Sequence, residues 1–155
     1  MRLKTWIPVI AVVIFALDRW VQVVVSSHMT PGQSIPVLPP VLWITYITNS
    51  GAAFSLLRHG APLFIVIAFA ILIGLAIYLI RTAQISRVFA VGAGLLAGGT
   101  AGNLWDRMVS GRVVDYIHFR FFAIFNVADM GIVVGILLIV YDFWRKDQLD
   151  GKASH

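Results

Sequence analysis

The sequence predicts an all-α membrane protein: a bundle of four transmembrane helices with a small external β-structure and one short interfacial helix, in a single integral membrane domain over residues 1–155. Three observations predict it. The chain is 59% hydrophobic and 12% charged, too little polar surface to coat a water-soluble globule of 155 residues. Four apolar stretches approach the roughly 20 residues that a helix needs to cross a hydrocarbon core of about 30 Å. Most of the cations lie at the ends of those stretches.

The spans fall near residues 6–25, 62–80, 88–104 and 122–141. The first has the outline of a cleaved secretory signal, with Arg2 and Lys4 before the apolar run from Trp6 to Leu17 and small Ser26 and Ser27 after it. Its apolar character resumes beyond Asp18 and Arg19 and continues to Val25, which is membrane length, so it is read as a retained span. If the spans alternate, Arg2, Lys4, Arg81, Arg87, Arg145, Lys146 and Lys152 share one side, which the positive-inside rule makes cytoplasmic together with both termini. Arg58, Arg107, Arg112 and Arg120 fall on the other side, three of them in a segment that also holds Asp106 and Asp115. That exception to the charge bias marks the segment as a functional candidate. Trp6, Trp20, Trp105 and Trp144 lie near span ends, where an indole sits well among headgroups.

Two external segments remain, 26–61 and 105–121. The first opens with Pro31, Gly32, Pro36, Pro39 and Pro40, then runs from Val41 to Thr48 in β-branched and aromatic residues, as a strand does. Asn49-Ser50-Gly51 supplies turn chemistry, and Ala52 to Leu57 suits a short interfacial helix. Arg112 to Phe119 also has strand composition. Gly94, Gly98 and Gly102 in the third span, with Gly131 and Gly135 in the fourth, are spaced for close helix packing and are expected to bring these two spans together.

Composition narrows the chemistry. The net charge of +5 is not gathered into a basic run interleaved with aromatics, so nucleic acid is not an expected partner. With no Cys there is no thiolate nucleophile, disulfide or Cys metal site. All seven acids are Asp, so a His-Glu-x-x-His zinc motif is impossible, and His28, His59, His118 and His155 are scattered. Ser55 and Ser110 lack a Gly-x-Ser-x-Gly context. Carboxylate chemistry without a metal or cofactor is the expectation.

A charged side chain near the bilayer centre costs about 3 kcal/mol on insertion scales, so Asp18 and Asp129 need a reason to be there. The fourth span as drawn puts Asp129 one to two turns inside its external end, roughly 10 Å deep, with Asn126 on the same helical face. Asn103 and Arg107 are neighbours in the same way at the external end of the third span. If the two helix ends pack, these four residues converge beside the segment carrying Asp115. Two carboxylates in such a pocket share one proton, since burial and mutual repulsion push one pKa up. The ionised member takes a proton from an attacking water, and the protonated one binds the carbonyl oxygen and helps the amine leave. The spacing equally allows Asp115 to pair with Arg112 or Arg107, Asp129 to cap a helix start, and Asp18 to satisfy backbone donors.

Four ordered motifs carry a family resemblance: Thr48-Asn49-Ser50-Gly51-Ala52-Ala53-Phe54-Ser55, Gly102-Asn103-Leu104-Trp105-Asp106-Arg107, Val113-Val114-Asp115-Tyr116-Ile117 and Phe125-Asn126-Val127-Ala128-Asp129. Together they resemble bacterial lipoprotein signal peptidase, the type II signal peptidase, over nearly the whole chain. The resemblance implies Asp115 and Asp129 as the catalytic pair. Asn49, Gly51, Asn103, Arg107 and Asn126 would shape the pocket, Asp18 would support it, and the external strands would form a cradle above it. It implies a multi-pass protein of the bacterial cytoplasmic (inner) membrane, a monomer, with its active site on the external face. The substrate would be a prolipoprotein carrying diacylglyceryl and held in the phospholipid bilayer, cut just before its lipidated Cys. Two positions depart from the family pattern. Asp-Gln-x-x-Lys in the first span is here Asp18-Arg19 followed by Gln22, and the Arg often found before Asn-x-Gly-Ala-Ala is Thr48. A proton-coupled transporter relaying through Asp18 and Asp129, and an assembly subunit using its glycine faces, are the competing classes.

Overall fold

The computed structural model describes residues 2–50 and 61–153. Its four long helices are α1 (Trp6–His28), α2 (Ala61–Arg81), α3 (Arg87–Ser110) and α4 (Val127–Ala153), each long and apolar enough to cross a membrane. A 3-10 turn, Arg2–Thr5, precedes α1. Strands β1 (Ser34–Leu38), β2 (Leu42–Asn49) and β3 (Val113–Phe119) form one antiparallel sheet in the order β1-β2-β3. The expected interfacial helix at Ala52–Leu57, with Gly51, Ser55, Arg58 and His59, lies outside the described residues.

The helix ends have local causes. Ser86 caps α3, its hydroxyl accepting from the Phe89 N–H at 2.9 Å. Gly111 ends that helix with φ at +70°, a left-handed turn that costs glycine least, and its N–H reaches back to the Arg107 carbonyl. Lys4 covers the end of α2, donating to the carbonyls of Leu79 and Thr82 at 2.5 and 2.6 Å. The start of α1, the end of α2, the start of α3 and the far part of α4 therefore meet at one end around Ile7, Ile85, Phe89 and Ala93. The sheet sits at the other, where Val25, Met29 and Tyr116 form a second core.

Two boundaries differ from expectation. α3 runs on to Ser110 instead of stopping near 104, which puts Asp106 and Arg107 in the helix rather than the external segment. α4 starts at Val127, not near 122, because the apolar residues before it serve the sheet. Phe125 exchanges backbone hydrogen bonds with Ile117, and its ring stacks on Phe119 and meets Phe122 edge-on. Strand β1 falls in a proline-rich stretch not read as a strand. As the edge strand it tolerates Pro36, which has no N–H to give to a ladder.

The glycine faces are also divided differently. α3 is the central, most enclosed helix, and its Gly94 and Gly98 face α1, where an added Cβ would collide with Ile10 and with the Ala11 backbone. Gly102 faces Asp18 as well as Ala128. The close α3–α4 approach instead uses Gly92 and Gly99 against Gly135, Ala128 and Ile132, with Gly131 of α4 against Leu95. Residues 92 and 99 are two turns apart on one face, while 94 and 98 lie on another, so one small-residue helix serves two neighbours.

Candidate active site

At the sheet end, β3 and the start of α4 bring two aspartates under the sheet. Asp115 is 2% exposed and pairs in register with Ile47, beside an irregularity between Ile44 and Ile47 where β2 shifts against β3. Such irregularities re-aim side chains. The end of β2 reaches the same point, and Asn49 Nδ2 donates to Asp115 Oδ2 at 3.1 Å. Asn126 Nδ2 donates to Asp115 Oδ1 at 3.0 Å and lies 3.2 Å from Asn103 Oδ1. Asn103 Nδ2 in turn donates to Asp129 Oδ1 at 2.7 Å. The two carboxylates are thus joined through a chain of two amides, and Asp115 is held by neutral donors, not by Arg112 or Arg107.

Asn126 is not on a helical face, as the drawn span required, but is the residue that starts the helix. Its carbonyl accepts the first helical bond from Met130, and its Oδ1 accepts from the Asp129 N–H at 2.8 Å. Asp129 Oδ2 in return accepts from the Asn126 N–H at 3.4 Å, a reciprocal capping arrangement. Asp129 therefore sits in the first turn of α4, three residues and about 4.5 Å into the helix. Asp129 thus takes part in the helix cap and is also linked to Asp115 through Asn103 and Asn126.

The remaining free donors of that turn are taken by other elements, which matters because a bilayer offers no water to satisfy them. The Val127 N–H donates to the Tyr116 hydroxyl at 3.1 Å, and the Ala128 N–H donates to Asp18 Oδ1 at 3.1 Å. Asp18 is fully buried. Its Oδ2 accepts from Arg19 at 2.9 Å and from Gln22 at 2.8 Å, so both departures from the family pattern in the first span still converge on this carboxylate. The sequence reading gave Tyr116 no role. Its only signal was its position next to Asp115, which puts the two side chains on opposite faces of β3.

Burial pushes the Asp115 carboxyl up to about 7, helped by the negative charge of Asp129; the amides of Asn49 and Asn126 and the charge of Arg107 pull the other way without cancelling it. Burial likewise raises the Tyr116 phenol well above its ordinary range, keeping it neutral as it accepts from Val127. Arg107 donates to the Asn103 carbonyl at 3.2 Å, and its guanidinium lies 4.9 Å from the Phe64 ring centre. It thus bears on the site from the α2 side without forming an ion pair with either aspartate. Of the residues singled out from sequence, Asp18, Asn49, Asn103, Arg107, Asp115, Asn126 and Asp129 come together here; Gly51 lies outside the described residues.

Four spans, a small sheet at one end and a buried set of acids and amides beneath it define the class, a polytopic membrane protein built around a polar site of enzymatic type. Solved structures share the architecture. One bacterial membrane enzyme superposes with a TM-score of 0.83 at 34% identity, covering 90% of this chain and 87% of its own. Another gives 0.79 at 35% identity, covering 86% and 88%. The family model for signal peptidase (SPase) II matches residues 10–145. Lipoprotein signal peptidases from Pelotomaculum thermopropionicum and Halalkalibacterium halodurans are 40% and 38% identical, over 94% and 95% of this chain and 96% and 97% of theirs. The chain belongs to the signal peptidase II family, the lipoprotein signal peptidases.

Proposed function

We propose that the chain is an aspartic endopeptidase that removes the signal peptide from diacylglyceryl-modified prolipoproteins, cutting before the lipidated Cys, with Asp115 and Asp129 as its catalytic pair. The observation that carries this is the linkage of the buried Asp115 carboxylate to that of half-buried Asp129 through Asn126 and Asn103, with Asp115 pushed up to about 7. Near neutral pH Asp115 holds the shared proton. Asp129, in the first turn of α4 where the helix dipole favours negative charge, takes a proton from the attacking water. Asp115 then hydrogen-bonds the scissile carbonyl oxygen as it becomes an oxyanion and passes its proton to the departing amine. Asn49, Asn103 and Asn126 orient the pair, and Arg107 adds positive potential beside it. Asp18 supports the arrangement through the backbone of Ala128.

The diacylglyceryl group keeps the substrate in the bilayer, so the scissile bond arrives laterally at the depth of the sheet end. We place the protein in the bacterial inner membrane as one domain and a monomer. Lys4, Arg81, Arg87, Arg145 and Lys146 cluster at the end opposite the sheet, which favours both termini in the cytoplasm and the site on the external face.

The test is cleavage of a lipidated precursor by the purified protein in detergent, with a chelator present. Wild type is expected to cut, to cut the non-lipidated precursor far more slowly, and to be indifferent to chelator. Asp115→Asn and Asp129→Asn are each expected to lose about 10³-fold or more, the scale of general acid–base catalysis. If either variant cuts at the normal rate, the pair is wrongly assigned. Solute flux in liposomes without proteolysis would favour a transporter.

A further inference from the structure

One cation at the sheet end has no part in the chemistry above. Arg19 reaches across from α1 to α3, where its guanidinium holds both oxygens of Asp106: Nη2 donates to Oδ2 at 2.7 Å and Nη1 pairs with Oδ1. The same Nη2 donates to Asp18 Oδ2 at 2.9 Å. Asp18 is fully buried and Asp106 nearly so, so Arg19 answers two carboxylates with little or no access to solvent. Its planar fork allows this, since two nitrogens engage Asp106 while one also serves Asp18.

The consequence lies at the other oxygen of Asp18. Oδ1 accepts from the N–H of Ala128, the residue immediately before Asp129. Gly102 of α3 makes room for this junction: a Cβ there would lie 3.2 Å from Asp18 Oδ2 and 3.3 Å from Ala128 Cβ. α1, α3 and the first turn of α4 are therefore tied at one point, and the orientation of the Asp18 carboxylate sets where that turn begins. Remove the cation and Asp18 keeps only neutral partners, Gln22 among them, beside a second buried acid with the same sign. An uncompensated carboxylate in low dielectric turns toward water or takes up a proton, and either event loosens its grip on Ala128.

We propose that Arg19 is a positioning residue for the peptidase reaction: by fixing Asp18 between Asp106 and the Ala128 backbone, it sets the placement of Asp129 against Asp115. This rests on the proposed function, and it assigns Arg19 no contact with substrate.

The test measures kcat and KM for the lipidated precursor with Arg19→Gln, Arg19→Lys and the exchange Arg19→Gln/Gln22→Lys. Gln22 Nε2 lies 2.8 Å from Asp18 Oδ2, so a lysine there delivers an ammonium to the same oxygen from one turn further along α1. Arg19→Gln is expected to lower kcat by about 10- to 100-fold, the scale of a misplaced catalytic group, with KM within about 2-fold. Arg19→Lys, which keeps the charge but loses the fork, is expected to fall between it and wild type. The double variant is expected to recover kcat to within about 3-fold of wild type, a rescue that general loosening of the bundle would not give. If Arg19→Gln cannot be isolated folded, the double variant carries the test alone. Wild-type kcat in Arg19→Gln, a loss confined to KM, or no recovery in the double variant would each overturn the proposal. A wild-type protein that does not cut, or an Asp115→Asn variant that does, would instead overturn the peptidase reading itself.

Discussion

The two ends of the bundle each bury an aspartate, and they hold it by opposite means. At the end away from the sheet, Asp142 has no exposed surface. It accepts from the Ser86 hydroxyl and is paired with Lys146 at 2.7 Å and Arg145 at 3.9 Å. At the sheet end Asp115 is equally enclosed, yet its hydrogen-bond partners are the neutral amides of Asn49 and Asn126. A carboxylate paired with cations works as a fastener. One ringed by amides, with a second aspartate near, sits where its proton is easily gained and lost. Burial alone does not distinguish a structural acid from a reactive one; the charge of its partners does.

Removing either kind of carboxylate should separate the two ends most sharply. Asp115→Asn and Asp129→Asn should each abolish cleavage on the 10³-fold scale stated above, and comparable loss from Asp142→Asn at a temperature where it is folded would erase the distinction. Next comes the amide bridge. Asn126→Ala removes the donor to Asp115 and the acceptor for the Asp129 N–H, and leaves Asn103 Oδ1 without its partner. Cleavage should fall about 10²-fold, and thermal stability should fall by about 1–2 kcal/mol through loss of the helix cap. A variant that loses stability but keeps its rate would reduce Asn126 to a cap.

How far the site was legible in the sequence depended on the kind of signal. Asp115, Asp129, Asn103 and Asn126 stood out because polar groups are costly in apolar surroundings, and their motifs matched a family in order. The geometry joining them was hidden. Asn126 looked like a helix-face neighbour of Asp129 because Phe122 to Phe125 reads as membrane span, while Phe125 in fact joins the sheet at Ile117 and Phe119, a choice that apolarity cannot record. The glycines announced close packing but not which partner each would meet, since an i,i+4 stripe and an i,i+7 pair coexist on α3. Tyr116 reaches Val127 and Arg19 reaches Asp106, 11 and 87 residues away, and local spacing carries no trace of such contacts.

Moving the helix that carries Asp129 perturbs the sheet-end site alone. An added Cβ at Gly99 would run into the carbonyl oxygen of Ala128, whereas nothing lies within 4 Å of one at Gly74 on α2. Gly99→Ala should force α3 and α4 apart, costing about 1–3 kcal/mol of stability and about 10-fold or more in kcat. Gly74→Ala should leave both unchanged. Equal behaviour of the two variants would mean that the α3–α4 distance does not control the site.

The proton on Asp115 gives a fourth measurement. Its carboxyl is raised from 3.8 to about 7, so the fold favours the protonated form. The sign follows from that direction: the favourable contribution is complete below 3.8 and is lost as pH climbs through about 7. Cleavage should therefore decline above about pH 7, approaching 10-fold per unit where loss of one proton controls the rate. In parallel, the stability of wild type, read from thermal unfolding, should drop relative to Asp115→Asn between about pH 5 and 8, by no more than the roughly 4 kcal/mol that linkage sets as a ceiling. A flat difference between the two across that window would show that Asp115 does not titrate there.

Asp142 completes the comparison with the smallest effect on chemistry. Asparagine in its place keeps an acceptor for Ser86, which continues to cap α3. Lys146 and Arg145 have side chains 41% and 47% exposed, so both can turn into water once the carboxylate is gone and neither is left buried without a partner. The cost is therefore expected below the usual range for breaking a buried pair, about 1–3 kcal/mol of stability. The cleavage rate should stay within about 2-fold of wild type, since the fastener lies at the far end of α3 and α4 from Asp129. A pH profile for Asp142→Asn that overlays wild type would place proton exchange at the sheet end alone, and a displaced profile would mean that the two ends of the bundle are coupled.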